Sequence, residues 1–198
     1  MDLSIFLNLA DVFSKHGFSL YLVGGSARDY LLHKDFTDFD LATDATPNDM
    51  RRFLKDADYT YDRFGNVHYK HIDITTLRVE DEYFDYRHPS KVKFTKDIKE
   101  DYKRRDFTIN ALYIDKNLKV YDFCNGSKDL KDKVIRFIGD PNKRVKEDPL
   151  RILRAIRFIK TLGFVIEPKS LEAIQQNKNL LCRLNSDKIK QELAKMPQ

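Results

Sequence analysis

The sequence predicts an α+β protein: a head of mixed strands and helices, then an all-helical region. Three observations carry that prediction. Tyr21-Leu-Val-Gly-Gly-Ser-Ala-Arg28-Asp29 reads as strand, tight turn and helix, and the alternating strand Asp38-Phe-Asp40-Leu41 follows closely. Short apolar runs between residues 59 and 77 read as further strands. From Pro149 onward the apolar spacing turns helical.

In order along the chain, Leu3 to Lys15 places Ile5, Phe6, Leu9, Val12 and Phe13 at helical spacing, and Gly17 ends that helix. Leu20 to Val23 is a short apolar run bounded by glycine, as a buried strand should be. Gly24 and Gly25 let the backbone turn sharply and approach a ligand. Ser26 is expected to cap a helix carrying Arg28 to Leu32. A glycine turn, a helix N-terminus and an arginine together make an anion site. In the following strand Phe39 and Leu41 face one way, Asp38 and Asp40 the other. Alone, a Gly-Gly-Ser run is an ordinary turn and a pair of alternating aspartates an ordinary solvated face. Joined, a phosphate cradle and two carboxylates suit a divalent metal held jointly by protein and substrate phosphates.

Thr46 and Pro47 start a short helix expected to reach Leu54. Tyr59–Tyr61, Val67–Tyr69 and Ile72–Leu77 read as strands, with Gly65-Asn66 as the turn between the first two. Ile72 and Ile74 face the core, so His71, Asp73 and Thr75 share the other face. Arg78 to Asp101 is polar and reads as a long loop, functional or plain surface. Ala111–Ile114 and Lys119–Tyr121 form a hairpin, and the segment from Asp122 to Leu130 turns into a short helix. Asp148-Pro149 is a helix start, after which Arg151, Arg154 and Arg157 recur at three-residue steps, with Leu150, Leu153, Ile156 and Ile159 facing elsewhere. Such a basic stripe is either a solvated face or a contact surface. Leu171 to Met196 continues as helix, broken at Asn185-Ser186.

The 198 residues suffice for a buried core, and 41% hydrophobic content with 12% aromatics argues against disorder. A net charge of +5 suits a nucleic-acid partner, as it does many ordinary proteins. No apolar run approaches a membrane span, the N-terminus has no signal-peptide pattern, and Cys124 and Cys182 lack metal or redox spacing. A cytoplasmic location without membrane contact is expected.

LVGGSARDYLLHKDFTDFDLAT resembles the signature of class II tRNA nucleotidyltransferases and bacterial poly(A) polymerases, with Ala27 and His33 in place of the usual valine and glycine. HIDITTLR resembles the segment that carries this family's third carboxylate, which assigns that role to Asp73. EDEYFDYRHPSKVKF resembles the loop implied in switching from C to A addition. KRRDFTINA matches a run that contacts the ribose and phosphates, which points to Arg105. DFCNGSKDL resembles a structural turn of the family. Glu147-Asp148-Pro-Leu-Arg151 resembles the template motif whose carboxylate and arginine bond the edge of C or A.

The resemblance implies a DNA polymerase β-like nucleotidyltransferase head over residues 1–140 and a helical neck over 141–198. It implies transfer of a nucleoside monophosphate from CTP or ATP to the 3′ end of tRNA, with release of pyrophosphate. Asp38 and Asp40 would hold two Mg²⁺, with Asp73 as the third catalytic carboxylate. Gly24, Gly25, Arg28, Arg105, Asp148, Arg151, Arg154 and Arg157 would bind the nucleotide, with Asp148 and Arg151 selecting its base. A-only addition, poly(A) addition and an inactive nucleotide- or RNA-binding module are the alternatives. The family continues into a tRNA-binding body and tail, whereas this sequence stops at Gln198. As a fragment or a short member, it is expected to bind nucleotide and hold tRNA weakly.

Overall fold

The computed structural model describes residues 2–80 and 92–197. The α+β expectation holds. Helix α1 (Ser4–Lys15) leads into strand β1 (Leu20–Leu22), helix α2 (Gly24–Leu31), strand β2 (Phe39–Thr43) and the short helix α3 (Pro47–Met50). Strands β3 (Asn66–Tyr69), β4 (Ile72–Thr76), β5 (Arg78–Glu80) and β6 (Val92–Phe94) follow, then helix α4 (Ile98–Asp101) and strands β7 (Tyr113–Ile114) and β8 (Val120–Tyr121). The remainder comprises α5 (Gly126–Asp132), β9 (Val134–Ile135), α6 (Pro141–Glu147), α7 (Leu150–Leu162), β10 (Val165–Ile166), α8 (Pro168–Asn177) and α9 (Ser186–Leu193). Among the described residues no helix is long and apolar enough to cross a membrane.

The described residues divide into two compact units. The first takes residues 2–79, 92–104 and 110–123; the second takes residue 80, 105–109 and 124–197. The first is built on a sheet in the order β3-β4-β2-β1-β7-β8. β2 runs antiparallel to β1 and parallel to β4, with Asp40 in register with Asp73 and Leu41 with Ile74. In β2 only Asp40 interrupts the burial of Phe39, Leu41, Ala42 and Thr43. Burying an apolar side chain of this size contributes roughly 1.5–3 kcal/mol, so the strand's register is set by its apolar residues and Asp40 is carried along. The buried hydroxyl of Thr43 donates to the Ser19 carbonyl and accepts from the Ala45 N–H, which removes the cost of burying it. On α1, Phe6, Leu9, Ala10 and Phe13 form the buried face, and the Phe13 ring meets Phe53 edge-on at 5.0 Å.

In the second unit Phe107 stacks on Phe137 and meets Phe158 of α7 edge-on. Phe107 and Phe137 form a bridge, and β9 pairs in parallel with β10. The region expected to be all-helical therefore contains one short strand. On α7 the buried side chains are Leu150, Arg151, Ile152, Leu153, Ala155 and Phe158, while Ile156 and Ile159 are exposed. The sequence pattern had those isoleucines among the apolar positions turned away from the arginines.

Several elements differ from expectation for local reasons. Ser26 does not cap α2: the helix begins two residues earlier, at Gly24. Tyr59–Tyr61 is not a strand. Asp58 makes a single bridge to His68, and its carboxylate then accepts from the Thr60 N–H and hydroxyl, which turns the chain. The helix at Pro47 starts with a full capping box between Thr46 and Asp49 but ends at Met50, where Arg52 and Phe53 make the tighter three-residue bonds. The expected loop over 78–101 contains the paired strands β5 and β6 and then α4. The centre of the EDEYFDYRHPSKVKF segment, residues 81–91, lies outside the described residues. The expected break at Asn185-Ser186 is present, with Asn185 capping α9, but α8 already ends at Asn177 and a 3₁₀ turn over Lys178–Arg183 precedes the break.

Candidate active site

Two glycines and two aspartates meet where β1 passes into α2. Val23 is extended and Gly24 adopts a left-handed φ of +60°, so the chain reverses into the helix without a side chain in the way. A Cβ at Gly24 would lie 2.9 Å from Asp40 Oδ2, and one at Gly25 would lie 3.2 Å from the same oxygen. That closeness is used: the Gly25 N–H donates to Asp40 Oδ2 at 3.0 Å. The first turn of α2 therefore grips the carboxylate of β2, as a helix N-terminus favours negative charge. The Ser26 hydroxyl, buried in the same turn, touches β2 on both sides of Phe39, donating to the Asp38 carbonyl and accepting from the Asp40 N–H.

Asp38 lies just before β2 and is exposed; Asp40 is half-buried. Because β2 and β4 are parallel and in register, Asp73 stands beside Asp40 on the same face of the sheet. Asp73 is exposed and its Oδ1 lies 2.8 Å from His68 Nδ1 on β3. The sequence thus brings Gly24, Gly25, Asp38, Asp40 and Asp73 to one end of one parallel pair. Among the described residues no three His, Cys, Asp or Glu side chains are placed to hold a metal by themselves. Two hard carboxylates beside a glycine turn are the donor set for a cation that keeps most of its coordination for water and phosphate.

Arg28 is 9% exposed on the next turn of α2. Its guanidinium makes a forked contact with Asp29, at 2.9 and 2.8 Å, and donates to Asn110 Oδ1 at 3.0 Å. The KRRDFTINA match gives Asn110 no part, since its partner Arg28 lies 82 positions away in sequence. Asp101, fully buried in the same unit, accepts from Tyr113 Oη at 2.6 Å, Arg104 Nε at 2.8 Å and the Arg78 N–H at 2.9 Å. It was also missed, since a lone aspartate within a charged run gives no signal of burial.

The remaining candidates belong to the second unit. The Arg105 carbonyl accepts from Arg144 Nη2 at 2.5 Å. Asp148 separates α6 from α7, and its Oδ1 accepts from the Leu150 N–H at 3.0 Å. Arg151 is 5% exposed and donates to the Arg144 carbonyl at 2.7 Å and to Glu147 Oε2 at 2.9 Å, an oxygen that Arg144 Nη1 also reaches. Arg154 grips Asp106 through Nε at 2.7 Å and Nη2 at 2.5 Å. Burial pushes the Asp106 carboxyl up, but the charge and hydrogen bond of Arg154, with the Phe107 N–H and the Arg151 charge, bring it down to about 2. The Asp106 charge in turn raises Arg154. Arg157 donates to Glu192 on α9 at 2.5 Å and lies over the Phe158 ring. The arginine stripe is therefore not a solvated face; each member holds a carboxylate of its own unit.

The poly(A) polymerase head domain family matches residues 20–136. The chain is 43% identical over 184 residues to the CCA-adding enzyme of Lactobacillus helveticus, a match covering 91% of this chain and 46% of the relative. It is 42% identical over 186 residues to the CCA-adding enzyme of Staphylococcus haemolyticus, covering 92% and 46%. The fold superposes on the Bacillus stearothermophilus CCA-adding enzyme in complex with CTP with a TM-score of 0.89, at 32% identity over 98% of this chain and 49% of that one. On the Thermotoga maritima CCA-adding enzyme complexed with tRNA the TM-score is 0.76, at 31% identity, over 98% of this chain and 46% of that one. The chain spans about half the length of the curated relatives it matches.

Proposed function

The chain belongs to the poly(A) polymerase head domain family, and from that premise we propose that it transfers nucleoside monophosphates from CTP and ATP to the 3′ end of tRNA. The relatives at about this level of identity are CCA-adding enzymes, and solved relatives hold CTP or tRNA. One observation in this chain carries the reading: a helix turn bonds the Asp40 carboxylate through Gly25, with Asp73 in register beside it.

In the proposed reaction the acceptor's 3′-oxygen bonds to the α-phosphorus as the bond to the bridging oxygen breaks, and pyrophosphate leaves. Asp73 is the carboxylate assigned to take the hydroxyl proton, with His68 holding one of its oxygens. Gly24, Gly25 and Arg28 bind the triphosphate, and Arg105 the ribose side. Asp148 and Arg151 select the base; Glu147 holds the Arg151 guanidinium in place. Arg154 and Arg157 support that helix, each through the carboxylate it already holds. Transfer in this family depends on a metal, and Asp38 and Asp40 would hold two Mg²⁺. The metal would supply activation of the attacking hydroxyl and charge neutralisation at the leaving pyrophosphate. Both cysteines are thiols, which suits the reducing cytoplasm where we place the reaction.

The test is incorporation of labelled CTP and ATP, with and without Mg²⁺, into tRNAs ending before, within and after the terminal CCA. Addition of C, C and A in turn is expected. Addition of A alone, or of A without limit, would replace CCA addition with one of the narrower activities. Absence of any metal-dependent incorporation would overturn the transferase reading.

A further inference from the structure

We infer that Ser26 is a positioning residue of the transfer centre, whose single hydroxyl holds both ends of the Asp38–Asp40 segment. The inference rests on the transferase reading above. β1 ends as the chain turns into α2, and the Val23 carbonyl accepts from the Ala27 N–H at 3.1 Å as the helix begins. β2 runs on past that point. Its Asp40 carbonyl still receives the Val23 N–H at 3.0 Å, but its Asp40 N–H donates to Ser26 Oγ at 2.8 Å. The same Oγ donates to the Asp38 carbonyl at 2.9 Å. A side-chain hydroxyl thus stands in for the strand partner that β1 no longer supplies, acting as donor and acceptor at once.

Both carboxylates leave the backbone at the residues this hydroxyl pins. Ser26 is 2% exposed and Phe39, between them, is 5% exposed, so solvent is a poor substitute for the hydroxyl. The neighbouring Gly25 N–H fixes the Asp40 side chain itself. Backbone and carboxylate are therefore held from one helical turn. Displacing a catalytic group by about 1 Å costs on the order of a hundredfold in rate, which is the scale on which this clamp would act.

The experiment compares wild type, Ser26→Ala and Ser26→Thr in three measurements: hydrogen exchange of the Asp40 amide, Mn²⁺ affinity in the presence of CTP, and turnover with KM for CTP. Ser26→Ala is expected to speed Asp40 amide exchange at least about tenfold and to weaken Mn²⁺ binding. It should lower kcat by about ten- to a hundredfold with KM within about twofold. Ser26→Thr keeps the hydroxyl and is expected to retain Asp40 protection and most turnover. A folded Ser26→Ala with wild-type exchange, Mn²⁺ affinity and kcat overturns the inference. If Ser26→Ala unfolds at the assay temperature, Ser26→Thr decides: loss of protection and turnover at an unchanged melting temperature overturns it as well. If wild type itself incorporates no nucleotide, the transferase reading fails, while the exchange and Mn²⁺ measurements still decide what Ser26 holds.

Discussion

A methyl group at Gly24 meets two obstacles at once: a left-handed backbone and the Asp40 carboxylate 2.9 Å away. The backbone alone costs about 1–2 kcal/mol for a residue with a side chain. Asp40 is a proposed metal-holding group, and moving it aside by about 1 Å costs on the order of a hundredfold in rate. Gly24→Ala is therefore expected to melt a few degrees lower and to lose turnover far beyond what the folded fraction explains. Kinetics and thermal melts on one preparation separate the two effects. Asp106 makes a different prediction. Its carboxyl titrates at about 2, below the ordinary 3.8, so it adds stability that is fully present above about pH 4 and is lost as pH falls through 2. Asp106→Asn leaves Arg154 without its counter-charge. Breaking a buried pair costs roughly 3–5 kcal/mol, and Arg154, about a third exposed at its side chain, belongs at or below the lower end. The gap in melting temperature between wild type and variant is expected to be widest near neutral pH and to close between pH 4 and 2. The glycines and aspartates were legible in the sequence because their chemistry is local. Asn110 as a second partner of Arg28, and the Asp38 carbonyl as a partner of Ser26, were not, because both are distant in sequence.

At the scale of elements, α7 both packs into the core and holds carboxylates. Its apolar face meets the core through Ile152, Ala155 and Phe158, and its arginines each grip an acid. Helical spacing revealed the helix but not which residues were buried, since a buried arginine with a partner looks the same in sequence as an exposed one. Asp148 bonds the Leu150 N–H at the start of this helix, so it has a capping share whatever else it does. If it also reads the base, Asp148→Ala should lose discrimination worth roughly 1–3 kcal/mol, and UTP and GTP should compete far better with CTP and ATP. Loss of the cap alone costs about 1 kcal/mol of stability and leaves base choice unchanged. Relative incorporation of all four nucleotides, with melts alongside, distinguishes the two. Arg151→Lys should be poorly tolerated in either case, because an ammonium cannot reproduce the paired contacts to the Arg144 carbonyl and Glu147.

For the whole molecule, a net charge of +5 spread over 36 basic and 31 acidic residues would give the proposed tRNA substrate a modest field with no dominant basic tract. Binding is then expected to rest on scattered phosphate contacts. Such contacts predict affinity that falls steeply with salt, measured by equilibrium binding of labelled tRNA. Tight binding that barely changed with salt would contradict this. The order of motifs made the α+β class and the sheet legible from sequence alone. The division into two units was less so: Arg105–Ile109 groups with the later helices although sequence neighbours on both sides belong to the sheet unit. Phe107 explains it, since its ring packs on Phe137 and Phe158.

Nucleotidyl transfer is proposed to depend on the Asp40 carboxylate gripped by the first turn of α2. Asp40→Ala removes that carboxylate and leaves Gly24, Gly25 and Arg28 in place. Single-turnover transfer of labelled CTP to a tRNA lacking its 3′ CCA, with CTP binding measured on the same protein, tests it most directly. The expected result is loss of transfer by at least about a thousandfold, with CTP affinity weakened far less. Near-normal transfer by a folded Asp40→Ala in Mg²⁺ would show that transfer does not depend on this carboxylate.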